Sequence, residues 1–330
     1  MRHGKRHMMR FNLRFPFACM SAILASGTLA AQDQGSTLIR LSERSTAIVQ
    51  ARALNTRVVG TQQRVHFKVQ RALKGRLSGS FTLTETAGRA CGHALHGTLA
   101  GSSYLVFLDE SAGKVRLTVG SSRAMVHVDP DILGHVRALL NARGTLERLS
   151  LLTANLRSRN DRVRRDAAIA LPIRKGLELA TQADRDRIIQ ALPSTLGQDD
   201  RAALGLIQTV SRLRLRSAVP TLLQDYMADR NSSLRRIYLQ VIPELDAAYA
   251  VDQIERGMPR GVKGQTRTIA MLSRCPGHHA TDCLKQIARS RNQAVSSLAT
   301  EAISAQATVG REAIVVPAHK FRSINPHGRR

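Results

Sequence analysis

Tryptophan is absent from this 330-residue sequence, and four tyrosines and seven phenylalanines supply all its aromatic side chains. At 3% aromatic content the chain has few of the flat π faces on which unpaired bases stack. Acidic residues are also scarce, 24 against 50 Lys and Arg, which leaves a formal net charge of +26. That imbalance suits an anionic partner or anionic surroundings. The basic residues are nonetheless spread along the chain, with no tract on the scale of a nucleic-acid-binding arm. No stretch reaches the roughly 18 apolar residues that a membrane span needs.

Catalytic signatures are missing as well. No glycine-rich loop precedes a Lys-Ser/Thr pair, and neither a G-x-S-x-G elbow nor an H-E-x-x-H pair occurs. The close acidic pairs, Asp109-Glu110 and Asp199-Asp200, fall in expected turns or caps. The expectation is a non-enzyme with no catalytic residue, no cofactor and no metal. What the chain does contain is 43% hydrophobic residues, enough for packed cores. Its length suits two domains, or one domain followed by a repeat array.

Residues 1–31 have the layout of a secretory signal. Arg2, Lys5, Arg6, Arg10 and Arg14 precede a short apolar run (FPFACMSAILA), and small residues lead to Ala30 and Ala31. Cleavage is expected after one of those two alanines, which places the mature protein in the periplasm or outside the cell, without a membrane span. Export argues against chromosomal DNA and cytoplasmic RNA as partners.

Residues 36–130 alternate with period two between turn signals, as short strands do. The runs are 46–54 (TAIVQARAL), 65–70 (VHFKVQ), 81–84 (FTLT), 104–108 (YLVFL), 115–119 (VRLTV) and 125–128 (MVHV). The run YLVFL is apolar on both faces and is expected to be a central strand. Five or six short strands in this length point to a closed or sandwich-like β unit. The order "TAIVQARAL", "VHFKVQRALKG", Cys-Gly, "GSSYLVFLDES" and "KVRLTVG" resembles the TIMP/netrin-like OB-fold modules of exported bacterial proteins. That resemblance implies an all-β OB-like barrel. In animal relatives, metalloprotease inhibition depends on a cysteine at the mature amino terminus. None stands near Gln32, so this activity is not implied. The Cys91-Gly92-His93 run with His96 lacks a fourth ligand in view, and loop histidines beside a buried thiol explain it more simply.

Residues 131–145 are expected to form a linker helix. From Leu146 to about residue 310 the period changes to 3.6, and Ala, Leu and Arg dominate. A phrase recurs with starts at 160, 199, 231, 261 and 292, spaced by 39, 32, 30 and 31 residues. In the clearest copies an Asn is followed three and eleven residues later by apolar positions: Asn160 by Val163 and Leu171, Asn231 by Leu234 and Ile242, Asn292 by Val295 and Ile303. Asn or Asp at such a start caps a helix whose apolar stripe a single helix pair cannot bury, so successive pairs must stack. "NDRVRRDAAIAL" resembles the short bacterial HEAT repeats. The resemblance implies an all-α solenoid that serves as a scaffold and binds through its surface.

Within that region, the run from Cys275 to Cys283 contains His278 and His279. In an oxidising compartment two cysteines eight residues apart across a turn most simply form a disulfide. The rival is a Cys2His2 metal site, which adjacent histidines pointing in divergent directions disfavour. Arg157, Arg159, Arg162, Arg164 and Arg165 near the first repeat, with Arg235 and Arg236 at a later equivalent position, form the candidate contact surface. Residues 311–330 end in a basic tail. The combined expectation is a binding or scaffolding protein of the bacterial cell envelope that contacts a protein or an anionic envelope component. A nucleic-acid-binding solenoid with a misread leader, or an envelope hydrolase with an unrecognised site, are the alternatives.

Overall fold

Alternation of small and large apolar residues in two neighbouring runs builds the amino-terminal sheet. In the computed structural model, residues 37–86, 95, 97–111, 114–118, 123–259 and 261–312 are described. The expected signal segment, Cys91, His93, His96 and residues 313–330 lie outside the described residues. Strands β1 (Ala47–Val59), β2 (Gln62–Lys74), β3 (Ser80–Thr86), β4 (Ser103–Ser111), β5 (Lys114–Leu117) and β6 (Met125–His127) form one sheet. The order is β3-β2-β1-β4-β5, with β6 also paired to β4, and every pairing is antiparallel.

Ala47, Val49, Ala51 and Ala53 point to one face of the sheet, where Val65, Phe67, Phe81, Leu83, Tyr104, Val106 and Leu108 complete a core. Phe67 stacks on Phe81 with ring centroids 5.3 Å apart and meets Tyr104 edge-on. Small residues on β1 leave room for these rings. Three register shifts along the β1–β2 pair bend it, as bulges do. Gly75 ends β2 at a positive φ, and a Cβ there would lie 2.9 Å from the Thr46 carbonyl oxygen. The strand β4 is buried on both faces as expected, because its alternate residues Leu105 and Phe107 turn to a second core.

That second core joins the sheet to the helices. Helix α1 (Leu38–Arg44) and helix α2 (Pro130–Asn141) cover the sheet with Leu38, Leu41, Ile132 and Val136, and Val163 of a later helix enters the same cluster. The expected linker is therefore a packed helix. Its start is fixed by Asp129, which accepts from the amides of Asp131 and Ile132, with Pro130 in the first turn.

Nine further helices follow among the described residues: α3 (Thr145–Asn155), α4 (Asp161–Ala170), α5 (Gln182–Leu196), α6 (Asp200–Arg212), α7 (Val219–Ala228), α8 (Arg235–Arg256), α9 (Val262–Leu272), α10 (His278–Ala288) and α11 (Gln293–Glu312). Helix α8 is two helices in continuous sequence. Its φ/ψ leave the helical region at Asp246, three residues after Pro243, and the Asp246 carboxylate accepts from the Tyr249 amide to cap the second half. Counting the halves separately gives five consecutive pairs, and the repeated phrase falls at the start of the second helix or turn of each. Val163, Leu171, Ala202, Val210, Leu234, Ile242, Leu272 and Val295 are buried as the phrase requires, while Ile303 of the last copy is half-buried against the same core.

Equivalent helices of successive pairs pack on one another. Helix α3 lies against α5 and α5 against α7, while α4 lies against α6 and α6 against α8; α9 meets α11 at the far end. One hydrophobic core runs through the array from Ile39 to Ala302. The capping expectation holds at Asn160, Asp199 and Asn292, whose side chains accept from helix amides. At position 231 it fails. The Asn231 amide instead donates to the Leu196 carbonyl of α5, so the residue ties two pairs together rather than capping its own helix.

Candidate binding surface

The turns inside successive pairs lie side by side along one edge of the array. Two sets of cross-links run from one turn to the next, and a third runs from the last of these turns to a helix. Arg164 reaches back to Asp161 and the Ser158 carbonyl and across to Gln198 at 3.2 Å, and Arg165 Nε lies 3.0 Å from Asp199. Ser233 meets Asp200 at 2.5 Å, and Asn231 bonds Leu196. Asp229 then takes Arg235 at 2.6 Å and Arg267 at 2.7 Å, so the third turn is tied to α9. Both guanidinium groups hold the Asp229 carboxyl below its ordinary range, the hydrogen bond from Arg235 contributing most.

This ladder divides the seven arginines of the candidate surface by role. Arg162 folds onto Asp166 at 2.7 Å, and Asp166, almost fully buried, also accepts from the Leu38 amide of α1 at 2.9 Å. Burial pushes the Asp166 carboxyl up, against the pull of Arg162 and the Leu38 amide. Arg164 and Arg165 thus stitch neighbouring turns and Arg162 braces Asp166 within its own helix, and their side chains keep only a quarter or less of their exposure. Arg235 is paired yet remains 46% exposed. Arg157, Arg159 and Arg236 are exposed and make no ion pair with any described residue. Arg230, next to Asp229, is exposed in the same way. Sequence reasoning could not separate stitching arginines from outward ones near the first repeat, because the partners Asp199 and Gln198 of Arg165 and Arg164 come from the neighbouring pair.

A cleft of about 340 Å³ lies where α1, β2, α2 and α3 meet, lined by Ile39, Glu43, Lys74, Leu139, Arg148 and Arg174 among others. Its charged groups are mutually engaged. Glu43 takes Arg174 at 2.7 Å and Arg148 at 3.8 Å, while Lys74 Nζ donates to the Ser42 and Glu43 carbonyls at 2.9 and 3.3 Å. The cleft therefore fastens the sheet to the helices.

The expected disulfide is not formed: Cys275 and Cys283 are both buried free thiols. Cys275 follows the end of α9 and sinks into the array core, where burial pushes its thiol up to about 12. Cys283 sits on α10 and shares its surroundings with Glu255 and His279. Both side chains belong to the core that runs through the array, as unpaired thiols. No described helix is long and apolar enough to cross a membrane. No family model, curated protein or solved structure matches the chain.

Proposed function

We propose that this protein is a non-enzymatic binding scaffold of the bacterial cell envelope, exported on residues 1–31, with an OB-like β module ahead of a HEAT-type solenoid. The partner is a protein or another envelope component with an anionic surface, held along the edge that carries Arg157, Arg159, Arg235 and Arg236. The observation that carries this reading is the ladder of cross-links from Arg164–Gln198 through Ser233–Asp200 to Arg267–Asp229. It sets three turns side by side and leaves Arg157, Arg159 and Arg236 facing outward. Fixed spacing of unpaired cations on a rigid support favours one extended anionic surface over diffuse counter-ions. The OB-like reading is supported by the packing of β3 against β5, the two ends of the strand order, as in a sheet that curls onto itself. The solenoid reading is supported by helix-on-equivalent-helix packing through successive pairs.

The test uses the full chain with Arg157, Arg159 and Arg236 each changed to Glu, a set that breaks no ion pair among the described residues. Binding of envelope components to the immobilised chain is followed as salt is raised. The expected result is loss of binding together with a shallower salt dependence, at unchanged thermal stability. Binding that keeps both its strength and its salt dependence refutes the proposed surface.

A further inference from the structure

The second half of α8 and the helix α10 face each other with donors unlike the rest of this basic molecule. Asp252 and Glu255 stand three residues apart on α8, and His279 and Cys283 four apart on α10, so each pair shares one helix face. One donor atom from each of Glu255, His279 and Cys283 lies within 4.8 Å of the other two. His279 Nε2 is 3.3 Å from Glu255 Oε2 and 3.2 Å from Asp252 Oδ1. Cys283 is buried and forms the floor, while the carboxylates and the imidazole form a rim that is about half exposed. An ion can therefore enter from solvent and meet a sulfur at the bottom.

We propose that Glu255, His279 and Cys283 form a binding site for one divalent transition-metal ion of the zinc class, with Asp252 beside the imidazole as its outer partner. The donor chemistry selects the ion. A sulfur and an imidazole nitrogen suit zinc or cobalt and are poor ligands for calcium or magnesium. Geometry agrees. Ligands about 2.0–2.3 Å from a tetrahedral ion stand roughly 3.3–3.8 Å from one another, and the His279–Glu255 separation already falls there. The Cys283 sulfur lies within 4.8 Å of both of the other donor atoms. Charge agrees too: in a chain of net +26, this corner gathers Asp252, Glu255 and Asp282 around a buried thiol. The two cysteines of the 275–283 run do not act together here, and His278 is not part of the cluster. The ligands come from two helices, each supplying one face.

The experiment titrates the reduced full chain with cobalt and then displaces it with zinc. The expected signature is one cobalt per chain at this site, with a thiolate-to-cobalt charge-transfer band that zinc abolishes. Cys283→Ser removes the band and Cys275→Ser retains it. His279→Gln and Glu255→Gln weaken zinc binding, and Asp252→Asn weakens it by about 10–100-fold without removing the band. Unchanged thermal stability of the metal-free Cys283→Ser chain shows that the loss is not misfolding, and zinc should raise the melting temperature of the wild-type and Cys275→Ser chains and not that of Cys283→Ser. Absence of a Cys283-dependent band, loss of the band in Cys275→Ser, or zinc affinity indifferent to His279→Gln and Glu255→Gln overturns the proposal.

Discussion

Replacing Gly205 with Ala should destabilise the array, although the same change in an ordinary helix does the reverse. Gly205 lies inside α6, where alanine is favoured over glycine by about 1 kcal/mol. The space around it is already taken. A Cβ at this position would stand 2.3 Å from the Ala168 carbonyl oxygen, 2.9 Å from its carbon and 3.1 Å from the Ile169 Cα. All three atoms belong to the backbone of α4, so no side chain can swing aside. Restoring a contact of 3.0 Å requires α4 and α6 to part by roughly 0.7 Å, in a layer where Ala167, Ala168 and Ala170 are packed against α6. Overpacking of this kind costs about 1–3 kcal/mol, and the upper part of that range is appropriate for backbone against backbone. After the propensity gain is subtracted, about 1–2 kcal/mol of net loss remains, equivalent to roughly 2–8 °C in melting temperature. Gly134 is the internal control. It lies inside α2 with nothing within 4 Å of its would-be Cβ, so Gly134→Ala should stabilise by up to about 1 kcal/mol. Thermal and urea unfolding of both variants of the full chain decides the matter. Equal stabilisation by the two substitutions would refute the close approach of α4 and α6, and with it the stacking of second helices.

Three further outcomes follow from named contacts. Burial lowers His135 to about 4, while the unfolded chain binds the proton near 6.5, so its contribution to stability is complete above pH 6.5. It is lost as pH falls from 6.5 toward 4, to a total of about 3 kcal/mol; urea midpoints across this window should show the slope, and His135→Asn should flatten it. Tyr238 donates to Asp225 at 2.6 Å inside the core, so Tyr238→Phe leaves a buried carboxylate without that donor and should cost about 1–3 kcal/mol by denaturant titration. Alkylation followed by peptide mapping should find Cys275 and Cys283 as separate thiols, with Cys275 reacting only after unfolding; a 275–283 disulfide in the native chain would contradict both the free thiols and the metal site.

The parts of this fold that were legible in the sequence are those where burial is one-sided. Val49, Ala51 and Ala53 alternate because only one face of β1 is inside the sheet, and the strand is visible from them. Beyond Leu54 both faces of the β1–β2 hairpin are largely exposed, so the alternation stops although the ladder continues to Val59 and Gln62. Helix α1 was not foreseen. Its seven residues are too few to display a helical period, and its Leu38 is held from a distance of 128 residues by Asp166. The apolar stripes of the second helices were visible through Val163, Leu234 and Val295, whereas the break at Asp246 went unread although Pro243 stands three residues before it, because the helical pattern of apolar residues runs on through it. The candidate surface divides in the same way. An arginine-rich turn can be seen locally, whereas the pairing of Arg165 with Asp199, or of Arg267 with Asp229, depends on how pairs stack. The Glu255–His279–Cys283 cluster is the extreme case, because a search within the 275–283 run cannot meet a ligand from α8.

The most direct test of the scaffold account is site-specific photocrosslinking in living cells. A photoreactive residue replaces Arg236, on the edge where the turns inside each pair align, or Arg214, in the connection between α6 and α7. The account predicts an envelope partner crosslinked from position 236 and not from 214, with loss of the product when Arg157 and Arg159 become Glu. Crosslinks from position 214 alone, or a product from 236 that survives those two reversals, would contradict it.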